Sequence, residues 1–202
     1  MAIAINGSSN TITGLAVGGL PDGVVDNDMI ANSTIAEAKL AANVNTITMV
    51  DQWRLTANFT LNDTTGSHLT IGSNLERIDT VGQTTLNGGM THSSGIWTFP
   101  ETGIYRVDYQ MQAYTTSNTN YVDVQMMYDL DGDGTYESIA RILQPSLAAS
   151  YCNGFMSALV DVDNTSNCKL LVRSRTSDNT TTLSGSSGYN RNCFTFMRLG
   201  DT

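Results

Sequence analysis

From Met49 onward, apolar and polar residues alternate with a period of two. Trp97, Phe99, Tyr105, Val107 and Tyr109 fall on one parity and Ile96, Thr98, Ile104, Arg106 and Asp108 on the other. A strand turns successive side chains to opposite faces, so this pattern predicts strands with one buried face. The two runs meet at Pro100-Glu101-Thr102-Gly103. Proline fixes its own φ and cannot donate to a ladder, and glycine takes a positive φ without a Cβ clash, so the stretch reads as strand, tight turn, strand. The same pattern predicts strands over residues 53–60, 68–71, 96–99, 104–114, 121–128, 136–143, 152–162, 169–175 and 192–199. Segments rich in Asn, Asp, Ser and Gly separate them, among them 62–66, 87–89, 131–134 and 184–188. With no helical crossover between the strands, an antiparallel sandwich is the expected architecture.

Residues 1–48 have a different texture. They contain no aromatic residue, and Lys39 is their only base against Asp22, Asp26, Asp28 and Glu37. Ordering a residue costs on the order of 1–2 kcal/mol of backbone entropy, which small apolar side chains such as Ile5, Ile12, Leu15 and Val17 do not repay alone. Turn signals at Asn6-Gly7, Gly18-Gly19 and Leu20-Pro21-Asp22-Gly23 divide the segment. Thr34 and Glu37 form a capping box ahead of Ala36, Ala38, Leu40, Ala41 and Ala42, and Asn43 is a stop, so one short helix is expected. Two turns are marginal in water without a partner. The expected organisation is an irregular N-terminal arm over residues 1–48, folding against something else, followed by a β domain over 49–202.

Charge and cysteine content narrow the classes of partner. The net charge of −9 over 202 residues opposes sequence-independent binding to nucleic-acid phosphates or anionic lipid, so neither is expected as a partner. Met1 to Asn6 has no basic flank and too short an apolar run for a signal peptide or a span, so export by the general route is not expected. Cys152, Cys168 and Cys193 form an odd, widely spaced set without a C-x-x-C, which reads as buried small hydrophobes in a chain folded in a reducing cytoplasm.

The run Gly95-Ile96-Trp97-Thr98-Phe99-Pro100-Glu101-Thr102-Gly103-Ile104-Tyr105-Arg106-Val107 resembles the core signature of C1q/TNF-like jelly rolls, in which a Phe-Thr-x-Pro-x-x-Gly-x-Tyr hairpin sits at the centre of the sandwich. The closing run Cys193 to Leu199 is similar to the last core strand of that fold, although the loops are longer and no collagen repeat precedes the domain. The resemblance implies an all-β, C1q/TNF-like antiparallel jelly-roll sandwich in which three copies pack around an axis. Trp97, Tyr105, Tyr109, Tyr121, Met126, Tyr128, Phe155, Phe194 and Phe196 are read as more than one inner face hides, so the surplus is assigned to that homotrimer. The stretch from Ile5 to Leu40 resembles the N-terminal segments of tailed-bacteriophage fibre-like virion proteins. It implies a protein of the virion, attached to a capsid or tail protein through its arm.

One constellation has the look of a metal site. Asp129, Asp131 and Asp133, with Gly132 and Gly134, reproduce the first half of a calcium loop, but its twelfth position is Ala140 where a bidentate Glu belongs. Glu137 or a residue from another loop is the substitute ligand in that reading, and a plain acidic hairpin is the alternative. His68 and His92 lie among Thr, Ser and Gly and read as solvated loop residues, with no G-x-S-x-G or H-E-x-x-H motif. Alternation puts Arg173 and Arg175 on one face, to pair with Asp or meet an acidic receptor. No enzyme is therefore expected. The expected function is that of a non-enzymatic virion structural protein, as capsid decoration, head fibre, tail fibre or adaptor. The alternative is a calcium-dependent carbohydrate-binding module, or a receptor-binding tip acting on host-surface glycan.

Overall fold

The computed structural model describes residues 4–6, 11–13, 47–62 and 66–202. The chain divides into two units, Met1–Val44 and Asn45–Thr202. In the first, β1 (Ala4–Asn6) and β2 (Thr11–Thr13) pair antiparallel, Ile5 opposite Ile12. The short helix expected around residues 34–43 lies outside the described residues.

The second unit begins its strands with β3 (Met49–Leu55), β4 (Phe59–Leu61), β5 (Leu69–Thr70), β6 (Leu75–Arg77), β7 (Thr91–Ser93) and β8 (Ile96–Thr98). It continues with β9 (Gly103–Thr115), β10 (Thr119–Asp129), β11 (Glu137–Ser146), β12 (Ser150–Val162), β13 (Lys169–Thr176), β14 (Thr181–Leu183) and β15 (Cys193–Gly200). These make two antiparallel sheets. In the first, β9 is central: β12 pairs along its whole length on one edge, and β15 and β14 share the other, leading to β3 and β6 and to β4. The second runs β11, β10, β13, then β5 and β8 side by side, then β7. The chain alternates between layers, with β8 in the second, β9 in the first, the β10–β11 hairpin in the second, β12 in the first and β13 in the second. This is a jelly roll.

The sequence corner at Pro100 to Gly103 differs from the expected hairpin: β8 and β9 belong to different sheets. Phe99 and Tyr105 both turn into the space between the layers, with ring centroids 4.8 Å apart, and Tyr105 donates its hydroxyl to the Glu101 carbonyl at 2.9 Å. The turn therefore carries the chain from one layer to the other, and pairing across it would leave one of those rings in water. Gly103 sits at φ 140°, and a Cβ there would stand 2.4 Å from the Gly200 carbonyl oxygen, so the glycine is required. Three short strands, β6, β7 and β14, escape the sequence pattern because three residues are too few to show a period. The run 53–60 proves to be two strands, β3 and β4.

Trp97 joins the layers. It is wholly buried, and from β8 it contacts Phe194 and Phe196 on β15 at centroid distances of 5.2 and 4.9 Å and Trp53 on β3 at 5.3 Å. Tyr109 extends the cluster, 4.7 Å from Phe194, and donates its hydroxyl to Asn192 Oδ1 at 2.8 Å. At the open side of the sandwich, Gly154 lets β11 close on β12, since a Cβ there would lie 2.5 Å from Ile142 Cγ2. Replacing Trp97 by Ala empties the joint between layers and is expected to cost about 3–5 kcal/mol. Urea unfolding of the two proteins measures it, and a loss under about 1 kcal/mol would contradict this role.

Candidate functional site

The outward face of the first sheet carries several large exposed apolar side chains. On β12, Tyr151, Phe155 and Leu159 point outward and are 57%, 60% and 67% exposed, with the polar Asn153 and Ser157 at the outward positions between them. Their partners on β9 are Tyr114, Gln110 and Arg106, and the Tyr114 and Tyr151 rings lie 4.9 Å apart. Val50 on β3 and Met197 on β15, half-buried and paired with each other, continue the face. Arg106 Nε donates to Asp108 Oδ1 at 2.9 Å, so the charges in the middle of the face cancel. Asn153, Ser157 and Asp161 share this outward parity, so the face presents large exposed apolar side chains set among polar ones, a mixture found at interaction surfaces.

The surplus does not consist of the residues that the sequence suggested. Trp97, Tyr105, Tyr109, Met126, Phe194 and Phe196 are all fully buried within one sandwich, and Tyr121 and Tyr128 are half-buried. A jelly roll has two inner faces, and together they hide what one does not. Of the nine, Phe155 alone is exposed. Tyr151 and Leu159 were legible as outward only once the parity of β12 was known.

At one end of the domain, β10 and β11 are joined by the acidic turn. Asp129 is buried, its Oδ1 accepting from the Gly132 amide at 2.9 Å and its Oδ2 from the Gly134 amide at 3.1 Å. Asp131 and Asp133 are exposed; Asp133 Oδ1 accepts from the Thr135 amide at 2.6 Å, and backbone and hydroxyl of Thr135 hold the Asp133 carboxyl below its usual range. One oxygen from each of the three lies within 4.8 Å of the others, and Glu137 lines the same depression as Asp131 and Asp133. Calcium takes six to eight oxygens, of which three carboxylates supply a part. The turn is also complete as a hairpin, since Asp129 already caps two amides.

A second cluster lies on the outward face of β10 and β13. Asp123 is buried and accepts from Arg141 Nε at 2.7 Å, Arg141 Nη2 at 3.0 Å and Arg175 Nε at 2.9 Å. Burial pushes its pKa up, and the hydrogen bonds and charges of the two arginines outweigh burial to hold it below the ordinary carboxylate range. Arg173 instead donates Nε and Nη2 to Gln125 Oε1, at 3.1 and 2.9 Å. His68 Nε2 stands 3.4 Å from Asp123 Oδ2, without a hydrogen bond. Neither histidine is a solvated loop residue: His92 on β7 packs against Trp53 and Trp97 at 5.2 and 4.8 Å. Arg191 and Arg198 are drawn apart, Arg191 to Tyr189 and Arg198 to Asp201, Thr102 and Thr48. All three cysteines are free; Cys168 and Cys193 are buried, and burial pushes the Cys193 thiol up to about 11.

Burial, followed by the charges of Arg173 and Arg175, holds the His68 pKa below the ordinary imidazole range against the pull of Asp123, and burial does the same to His92. The unfolded chain then binds protons that the folded chain resists, so stability falls as pH is lowered through about 6.5. Asp123 acts in a separate window, since its contribution is lost only as pH falls below about 3.9. His68→Gln is expected to lose less stability than the parent between pH values of about 7.5 and 5, measured by urea unfolding. Parallel profiles for the two proteins would contradict this.

No protein-family model matches the chain, and no curated protein matches it. Among solved structures it is similar to Eiger TNF from S. frugiperda, with 12% identity and a TM-score of 0.55 over 78% of this chain and 96% of that one. It is also similar to murine APRIL, with 15% identity and a TM-score of 0.52 over 75% of this chain and 98% of that one. At these identities the likeness is one of fold: the β domain is a TNF-like jelly roll.

Proposed function

We propose that this protein is a non-enzymatic structural subunit of a tailed-phage virion, a homotrimer attached to a capsid or tail protein through residues 1–48. The observation that carries the self-association is the exposure of Tyr151, Phe155 and Leu159 on one outward face of a long strand, beside the Arg106–Asp108 ion pair, with Asp161 at its end. Burying each of these side chains contributes about 1.5–3 kcal/mol, repeated at every interface of a closed ring. Three copies around an axis is the arrangement that the C1q/TNF-like resemblance implies. The virion assignment is supported by the resemblance of the arm to phage fibre-like segments.

The two ends of the β domain suit display. Arg198 bonds Thr48 and Asp201, so the chain enters and leaves the domain side by side. Asp129 belongs to this end too, because β10 runs away from the far end, where Ala148 donates to Asn118 and Thr116 to Thr180. Attachment at the near end leaves the Asn-, Ser- and Thr-bearing far loops outermost, to face solvent or a host-surface glycan. The acidic turn stands at the near end, away from those loops.

Two experiments test this. Replacing Phe155 and Leu159 by Asp is expected to leave circular dichroism unchanged and to yield a folded single chain by sedimentation velocity; retention of the parent's oligomeric state would overturn the assigned face. Deleting residues 1–48 is expected to leave a soluble trimer that no longer joins the particle. Persistence of the truncated protein on purified virions would overturn the role of the arm.

A further inference from the structure

Ten Lys and Arg stand against 19 Asp and Glu in this chain, yet three of the ten gather on one face. Across the outward side of the second sheet, Gln125 on β10 pairs with Arg141 on β11 and with Arg173 on β13, and Thr70 on β5 pairs with Arg173 in turn. One pair along, Asp123 lies between Leu143 and Arg175. Neighbouring strands are about 4.8 Å apart, so Arg141 and Arg173 span about 10 Å of nearly flat surface. Among the described residues only Asp123 offers this platform a carboxylate, and it is shared between Arg141 and Arg175.

Arg173 is the member of the platform with no carboxylate partner among the described residues, a trait it shares with Arg191, which bonds Tyr189 elsewhere on the domain. Arg54, Arg77, Arg106 and Arg198 each bond a carboxylate. Arg173 directs its Nε and Nη2 to a neutral amide oxygen. The platform thus keeps positive charge in excess, in a chain whose net charge is −9. His68 lies beside it, and burial first, then the charges of Arg173 and Arg175, disfavour its protonation. Arg175 also lies over the Tyr121 ring, 5.5 Å from its centroid, and the exposed Leu143 borders the row. A planar guanidinium fork matches a carboxylate or sulfate, and the exposed Leu143 offers apolar surface beside it.

We propose that the Arg141–Arg173–Arg175 platform binds an acidic oligosaccharide, one whose sugar rings carry carboxylate or sulfate groups. The acidity of the whole chain selects for such a ligand over nucleic acid: a dense polyanion is repelled by the rest of the surface, whereas a glycan presents its charges singly to the one basic face. The site lies on the side of each subunit, on the opposite sheet from the assigned self-association face. It therefore requires neither the arm nor the trimer.

The test uses the full chain and calorimetric titration with hexagalacturonate, its neutral methyl ester, a sulfated hexasaccharide, inorganic sulfate and a single-stranded DNA oligomer. Titrations at about 0.01 M and about 0.15 M ionic strength separate a charge-led interaction from an apolar one. Hexagalacturonate or the sulfated hexasaccharide is expected to bind, more weakly at the higher salt, while the methyl ester does not. Arg173→Gln is expected to weaken binding about tenfold, the loss of one charge-assisted contact, with circular dichroism unchanged and the urea midpoint lowered, because the buried Gln125 Oε1 loses both of its donors. A second variant, Arg173→Lys, is expected to fall between the two. Silence of both acidic glycans at low salt would overturn the proposal. So would equal binding of the ester, unchanged affinity in Arg173→Gln, or DNA or free sulfate binding as tightly as the glycans.

Discussion

The contact of Trp97 with Phe194 and Phe196 holds the two layers of this protein together. It is a contact between sheets made by residues about 100 positions apart in sequence, and it is dry: Trp97, Phe194, Phe196 and Tyr109 have no exposed surface. Apolar burial of that kind is the dominant favourable term in folding. The corner from Phe99 to Tyr105 follows from it, because the chain must leave one layer and enter the other while keeping both rings inside. Gly103 is the backbone consequence. Once β9 is set in the middle of the first sheet, β12 and β15 have one register each, and the outward residues of β12 are determined by the inward ones.

From that alternation comes the separation of tasks. The inner parities of β9, β12 and β15 make the core, and the outer parities make the face assigned to self-association. The second sheet uses its outer parity differently, for arginines arranged around Asp123 and Gln125. Desolvating Asp123 is unfavourable in itself, and two guanidinium groups offset it. The ends of the barrel divide in the same manner: Thr48, Asp201 and the acidic turn at one, the loops around Asn118 and Thr180 at the other.

Much of the fold was legible in the sequence. The period-two runs located the long strands, and Gly103 was identified as the residue with a positive φ, as observed at 140°. The sheet in which each strand belongs is not legible, because periodicity reports which residues are buried and not against what; the corner at Pro100 therefore reads as a hairpin in the sequence alone. The same limit explains the aromatic residues. A count of large apolar side chains has no way to distinguish the two inner faces from an outer one, so Trp97 and Phe194 were assigned surplus that belongs to Tyr151, Phe155 and Leu159. His92 was misplaced because Thr, Ser and Gly beside it suggested a loop, whereas its neighbours in space are Trp53 and Trp97. The platform was half legible: the shared parity of Arg173 and Arg175 was plain, but Arg141 joins them only through the β10–β11 pairing.

The central claim is that the exposed face of β12 and β9 is covered by identical chains. Absolute molar mass by light scattering, followed over a dilution series, tests it most directly. The expected mass is three times the 21.7 kDa of one chain, held across the series. A folded species of a single chain's mass at the concentrated end would contradict it.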